Sequence, residues 1–137
     1  MTTFTNGDGQ DLLAAWKRAV ERRSPDELVE LCDANIDFRP DPFQEPLVGL
    51  NAVRAHWNDF AASQANVEFD AERVWVVGNT VLASWHGAYT RRATAERVRV
   101  RGFSTFELGD DRRIQRCRQW PTERVVGTDS TLKVEDA

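Results

Sequence analysis

The chain has 137 residues, the length of one globular domain, and its hydrophobic share of 41% and charged share of 29% do not indicate extended disorder. A net charge of −4 excludes a general electrostatic attraction to nucleic acid. The start of the chain has neither the basic nor the apolar region of a signal peptide, and no apolar run approaches the length of about 18 residues that spans a membrane. We therefore expect a cytoplasmic protein without a membrane or nucleic-acid partner.

The two ends of the chain are polar. Residues 1–10 carry Gly7 and Gly9, and residues 128–137 contain few apolar side chains. We expect a flexible N-terminus and a flexible tail at these positions, on either side of a single domain at residues 11–127.

Cysteine and motif content argues against metal and cofactor chemistry. Cys32 and Cys117 are isolated from each other and from histidines, which predicts free thiols. The sequence contains no phosphate loop, nucleotide fingerprint, nucleophile elbow or paired-cysteine motif. We predict neither a cofactor nor a metal site.

Helical periodicity dominates the first half of the chain. An apolar stripe begins at Leu12 and continues through Trp16 to Val20, at the spacing of one helix face. Ser24 is an N-cap followed by Pro25, so a second, brief helix begins there. A short strand at residues 36–38 follows, and a third helix is predicted from apolar positions at Leu50, Val53, Trp57, Phe60 and Ala61.

After Ser63 the apolar period changes from about 3.6 to 2, which predicts strands. Turn signals separate four long strands, and Pro121 ends or bends the last of them. These strands are predicted at residues 67–77, 80–90, 97–108 and 113–120. Helices in one block and strands in another predict an α+β fold whose sheet covers the apolar faces of the helices.

Two segments carry a resemblance to a known superfamily. Residues 41–49, Asp-Pro-Phe-Gln-Glu-Pro-Leu-Val-Gly, resemble the Asp-Pro…Pro…Gly segment before the third helix of SnoaL-like proteins and ketosteroid isomerases. Residues 108–114 resemble the Phe-x-x-x-Gly-Arg-Ile hairpin of the same proteins. The resemblance to this nuclear transport factor 2-like superfamily implies a cone of three N-terminal helices on a curved antiparallel sheet. It also implies a pocket between the helices and the sheet, while leaving the chemistry of that pocket open.

Asp41 and His86 are the candidate catalytic residues. The resemblance places Asp41 at the general base of ketosteroid isomerases, and an apolar pocket would raise the pKa of such a carboxylate. Asp41 can also be a simple turn residue, since Asp before Pro is common in turns. His86, in the middle of a strand, is either an acid/base or an exposed strand residue.

Other features of the resemblance argue against its best-known reactions. Trp16 and Ser104 stand where the isomerases place the two donors to their oxyanion, so steroid isomerisation is not supported. Limonene epoxide hydrolases use Arg-x-Asp on one strand, whereas this chain has Arg101-Gly102-Phe103. The candidate ligand-binding residues are Trp16, Arg39, Phe43, Trp57, Ser104 and Trp120, although tryptophans more often fill cores and interfaces.

Arginines alternate along two strands, at Arg97, Arg99 and Arg101 and again at Arg116 and Arg118. We interpret them as partners of the carboxylates that alternate on residues 68–72, rather than as a nucleic-acid site. With Phe103 and Trp120 among them, this face is also a candidate homodimer interface.

Two functional hypotheses follow. The chain is either a cofactor-independent isomerase, cyclase or dehydratase that acts on a small apolar molecule by acid/base chemistry, or a non-catalytic ligand-binding or dimerisation module of the same fold.

Overall fold

The computed structural model describes residues 3–131 as one α+β unit. The elements in chain order are α1 (Asn6–Glu21), α2 (Pro25–Glu30), β1 (Cys32–Arg39), β2 (Leu47–Val48), α3 (Leu50–Ser63), β3 (Gln64–Val77), β4 (Thr80–Arg91), β5 (Glu96–Leu108) and β6 (Ile114–Thr128). All three predicted helices and all four predicted long strands are present. Within residues 3–131, no helix combines the length and the hydropathy needed to cross a membrane.

The six strands form one curved sheet in the order β2-β1-β6-β5-β4-β3. β3 to β6 pair antiparallel, as predicted, but β1 runs parallel to β6. The sheet is therefore mixed. After β1 the chain forms β2, α3 and the strands β3 to β5, and β6 then lies beside β1 and runs in the same direction.

α1 begins earlier than the sequence analysis predicted. Thr5 caps the helix by accepting a hydrogen bond from the Asp8 amide, while the Asp8 carboxylate accepts one from the Thr5 amide at 2.8 Å. Gly9, interpreted as a sign of flexibility, is buried against β3, and a Cβ there would lie 2.7 Å from Val76 Cγ2. The second half of the predicted flexible N-terminus is thus helix, and residues 1–2 lie outside the described residues.

The last strand also runs further than predicted, because Pro121 does not end it. β6 continues to Thr128, with Pro121 paired to Gly102 of β5. The pairing of β1 with β6 ends at Arg118, so the strand has an open edge at Pro121. A proline is tolerated at such an edge because its missing N–H need not serve a neighbouring strand.

Asp129 fastens the end of β6 to the sheet. Its carboxylate accepts hydrogen bonds from the hydroxyls of Thr131 and Thr90, at 2.6 and 2.5 Å, and from the Asn66 amide at 2.8 Å. These donors, led by Thr131, hold the pKa of Asp129 well below its usual range. The start of the predicted flexible tail is therefore ordered, and residues 132–137 lie outside the described residues.

The core lies between the concave face of the sheet and the helices. Every second residue of β5 from Val98 to Phe106 points inward, as the alternation predicted. The largest fully buried side chains include Phe38, Phe106, Leu28, Ile36, Ile114 and Val53. Both cysteines are free and buried among them, and burial raises the pKa of Cys32 to about 12.

The edge strand β3 is covered by α1. Glu21 accepts a hydrogen bond from the Phe69 amide at 2.9 Å, and Lys17 donates one to the Phe69 carbonyl at 2.7 Å. Lys17 also pairs with Asp70 and Glu21. Two side chains of the helix thus occupy backbone groups that an edge strand otherwise leaves open to another chain.

The convex face carries the charged residues. Two of the predicted ion pairs form, between Arg97 and Glu68 and between Arg101 and Glu72, each at 2.9 Å. Arg116 and Arg118 instead pair with Glu107 and Asp37, which the sequence did not predict as partners. Arg99 differs, because it lies directly across from Arg124 and forms no ion pair within residues 3–131. Trp75, Phe103 and Trp120 form a row of aromatic rings on the same face. The homodimer interface remains a prediction.

A close approach between β4 and β5 generates the first prediction. The Trp85 ring lies over Gly102, and an added Cβ would overlap three of its ring atoms, whereas a Cβ at Gly127 would meet nothing within 4 Å. We expect Gly102→Ala to lower the free energy of unfolding by about 1–3 kcal/mol, because the buried indole must move. Gly127→Ala is the matched control and should be nearly neutral. Urea unfolding of both variants measures the difference, and equal stabilities would contradict the packing of Trp85 on Gly102.

Candidate functional site

A cavity of about 380 Å³ lies between the helices and the concave face of the sheet. α1 and α3 form one wall, and β3 to β6 form the other. The apolar lining consists of Trp16, Val20, Trp57, Phe60, Val67, Phe69, Trp85, Ala88, Val100 and Pro121. Its polar members are His56, Asp59, Ser63, Gln64, Glu68, Tyr89, Gln119 and Glu123.

Aromatic rings on the helices form the first wall. Trp16 on α1 and Trp57 on α3 meet edge to face, with ring centroids 5.6 Å apart and planes at 79°. Trp57 also meets Phe60 at 89° and stacks on Phe38 beneath it. Edge-to-face arrangements are favoured between aromatic rings, so these contacts stabilise the wall.

On the sheet side, Trp85 is held in place from three directions. Its ring lies over Gly102, it contacts Phe69 with centroids 5.3 Å apart, and its Nε1–H donates to Ser104 Oγ at 2.8 Å. Ser104 is 1% exposed, so this hydrogen bond satisfies two buried polar groups. The indole therefore presents a fixed apolar surface to the cavity.

Tyr89 and Glu123 form a hydrogen-bonded pair at the cavity. The Tyr89 hydroxyl donates to Glu123 Oε1 at 2.9 Å, and Arg91 lies 3.5 Å from Glu123 Oε2. Burial, followed by the bond to Glu123, raises the pKa of Tyr89, so the phenol remains protonated near neutral pH. Tyr89 is buried, whereas Glu123 is exposed at the rim.

His56 lies on the α3 side of the cavity. Its ring contacts Phe38 and Trp57, with centroids 5.5 and 5.0 Å away. Burial lowers the pKa of the imidazole, and the nearby Asp59 carboxylate only partly opposes this effect. His56 is therefore neutral near pH 7 and able to accept a proton.

One buried donor in the wall has no acceptor. Trp57 Nε1 is inaccessible to solvent and forms no hydrogen bond within residues 3–131. An unsatisfied buried N–H of this kind costs about 1–3 kcal/mol. Trp57 is therefore retained in the wall at a cost in stability.

The structure places both predicted catalytic residues away from this cavity. Asp41 Oδ1 accepts a hydrogen bond from the Phe43 amide at 2.9 Å, which is the turn interaction weighed as the alternative. His86 points to the convex face, where its Nδ1 lies 3.0 Å from Glu72 Oε1. Neither lines the cavity, because the Asp-Pro loop lies apart from it and because strand alternation turns His86 outward.

The predicted ligand-binding residues divide into two groups. Trp16 and Trp57 line the cavity, and Ser104 supports it from behind through Trp85. Arg39, Phe43 and Trp120 do not line it. Phe43 is 98% exposed in its loop, and Trp120 lies on the convex face at 45% exposure.

Four polar residues line the cavity that were not predicted from the sequence to do so: His56, Asp59, Tyr89 and Glu123. A signal existed for His56, which is three residues after Val53 and four before Phe60 and therefore shares their helix face. Glu123 was missed because the last strand was ended at Pro121. Within residues 3–131, no group of three or more His, Cys, Asp or Glu side chains could hold a metal ion.

The chain is similar to one protein family and to several solved structures. Residues 13–117, well over half of the chain, match the SnoaL-like domain. No curated protein matches the sequence.

Several solved structures share the fold. The epoxide hydrolase/cyclase-like enzyme SalBIII, described in pyran ring formation in salinomycin, has a TM-score of 0.77 at 18% identity, over 86% of this chain and 95% of that chain. A protein from Catenulispora acidiphila with a ketosteroid isomerase-like fold, in complex with trimethylamine, has a TM-score of 0.72 at 13% identity, over 90% and 94%. An LEH-like epoxide hydrolase from Mycobacterium tuberculosis has a TM-score of 0.71 at 16% identity, over 85% and 84%. At these identities the similarity shows the fold alone.

The environment of His56 gives the second prediction. We expect the imidazole to titrate below its usual value of about 6.5, because burial disfavours the charged ring. Histidine ring signals followed by NMR from about pH 5 to 8 measure this, with His56→Gln used to assign the resonance. A midpoint above the usual value would show that the Asp59 carboxylate, and not burial, dominates at this position.

Proposed function

We propose that this chain, which belongs to the SnoaL-like domain family of the nuclear transport factor 2-like superfamily, binds a small, largely apolar molecule in the cavity between its helices and sheet. One observation carries the proposal. Aromatic rings from α1, α3, β3 and β4 line a single cavity, and the largest of these side chains are Trp16, Trp57 and Trp85.

The size and lining of the cavity fit that role. Its volume of about 380 Å³ falls within the range of about 300–1,000 Å³ that is usual for small-molecule sites. Such sites combine a mostly apolar lining with a few polar groups that orient the ligand. Tyr89, Gln119 and His56 are polar groups of this kind in an otherwise aromatic setting.

The solved relatives are consistent with a small-molecule role. SalBIII is described as epoxide hydrolase/cyclase-like, and the mycobacterial protein as an LEH-like epoxide hydrolase. Proteins of the same fold with those descriptions support a small organic molecule as the occupant of this cavity.

A second candidate function is acid/base catalysis on the bound molecule. It is favoured by the lowered pKa of His56 and by the Tyr89–Glu123 pair, since both bring proton-transfer groups to the cavity. A base that takes a proton and returns it elsewhere is what an isomerisation, cyclisation or dehydration requires. A compound whose turnover is lost in His56→Gln, while its affinity is kept, would distinguish catalysis from binding alone.

Binding of a neutral apolar probe provides the third prediction. N-phenyl-1-naphthylamine should bind with an increase in its fluorescence, and Trp57→Ala should weaken binding about tenfold, because it removes a large part of the wall. Trp120→Ala is the matched control, since that indole lies on the convex face. Val67→Phe, which fills the cavity, should weaken binding as well.

The variant Trp57→Phe distinguishes a loss of binding that comes from removing the cavity wall from one that comes from unfolding. It keeps a ring in place and removes the unsatisfied donor, so the variant should fold and retain most of the binding. Equal binding in Trp57→Ala and Trp120→Ala, or no binding by the unaltered chain, would contradict the proposed function.

A further inference from the structure

We propose that the molecule bound in this cavity is an apolar amine, whose protonated nitrogen lies at the rim while its apolar body lies against the aromatic rings. This inference rests on the proposed function, because it presumes that the cavity is a ligand site. It adds the charge and the orientation of the ligand.

The charged side chains at the rim of the cavity are negative. Asp59 on α3 and Glu123 on β6 belong to the lining and are exposed at the rim, whereas the carboxylate of Glu68, a lining residue on β3, pairs with Arg97 on the convex face. Among residues 3–131, no lysine or arginine contributes to the lining. Asp59 belongs to the helix wall and Glu123 to the sheet wall, so both walls bring negative charge to the mouth.

One of these two carboxylates is partly neutralised from outside. Arg91 lies 3.5 Å from Glu123. Asp59 has no arginine or lysine partner and forms no hydrogen bond within residues 3–131. His56, three residues earlier on α3, interacts electrostatically with it but is neutral near pH 7 because burial lowers its pKa. The charge of Asp59 is thus left uncompensated at the mouth.

Beneath this acidic rim the cavity is aromatic. The rings of Trp16 and Trp57, and of Trp57 and Phe60, stand nearly perpendicular to each other, so the cavity meets both faces and edges of rings. A ring face carries partial negative charge and attracts a cation that lies within about 6 Å. A cation at the rim therefore meets favourable charge from the carboxylates above and from the rings below.

A ligand of the same shape that carries a carboxylate would be repelled by the negative charges at the rim. It would bring a third negative charge to the rim, and no arginine or lysine of the lining within residues 3–131 could receive it. A neutral apolar ligand would bind by its apolar body alone. The arrangement therefore selects among ligands by charge at one end and by apolar shape at the other.

Three compounds that share one apolar body test the proposal. 2-Phenylethylamine is a cation near neutral pH, 2-phenylethanol is neutral and phenylacetate is an anion. We expect affinity to fall in that order, with about tenfold between the cation and the anion, because exposed charges each contribute modestly. The difference should shrink at high salt, which screens exposed charges. Calorimetric titration or ligand-observed NMR measures all three.

Matched variants assign the preference to the rim. Asp59→Asn and Glu123→Gln remove one charge each at nearly constant shape, and each should weaken 2-phenylethylamine about threefold, a larger loss than that of the neutral 2-phenylethanol. Glu45→Gln is the control, since Glu45 is exposed in a loop outside the cavity lining.

The outcomes separate this inference from the proposed function. Equal affinity for the three compounds, or tightest binding of phenylacetate, would overturn the amine while leaving the cavity as a site for apolar molecules. Failure of the three compounds and of N-phenyl-1-naphthylamine to bind would overturn both.

Discussion

The concave face of the sheet must be covered by helices that are shorter than its strands. β3, β5 and β6 contain 14, 13 and 15 residues, a contour length of about 45 Å each. α1 and α3 contain 16 and 14 residues and reach about 20–25 Å. The cavity lies along the second halves of α1 and α3, which contribute Trp16, Val20, Trp57 and Phe60 to its lining. The remaining apolar positions of the helices fill the core.

The same constraint separates the two faces of the molecule. Inward side chains of β3 to β5 must pack on helices or line the cavity, so most of them are apolar, and the inward Ser104 is satisfied by its hydrogen bond to Trp85. Outward side chains form ion pairs across the strands. Trp85 and His86 are neighbours in sequence but lie on opposite faces for this reason. The polar groups that reach the cavity come from its rim and its ends, as His56, Tyr89 and Glu123 do.

Periodicity in the sequence was sufficient to predict the elements and most of the core. The stripe through Trp16 and the alternation from Val98 to Phe106 both identify inward residues, because burial of one face imposes those periods. The early start of α1 was missed since glycines at positions 7 and 9 were interpreted as flexibility. In fact the absence of a Cβ at Gly9 lets the helix lie close to Val76.

The candidate site was harder to predict than the fold. Trp16 and Trp57 were identified because they belong to helix stripes, and stripes face the sheet. Asp41 was chosen from the resemblance of its loop, but the path of a loop depends on contacts that no short motif specifies. Glu123 lies beyond a proline and could be reached only by recognising that Pro121 stands at an open strand edge.

The central claim is that the space between the helices and the sheet is the ligand site of this protein. The five indole N–H signals in an NMR spectrum test it most directly, because Trp16, Trp57 and Trp85 line the cavity whereas Trp75 and Trp120 lie on the convex face. On addition of 2-phenylethanol or 2-phenylethylamine, we expect the first three signals to shift and the other two to stay in place. Shifts confined to Trp75 and Trp120 would place binding on the convex face and contradict the account.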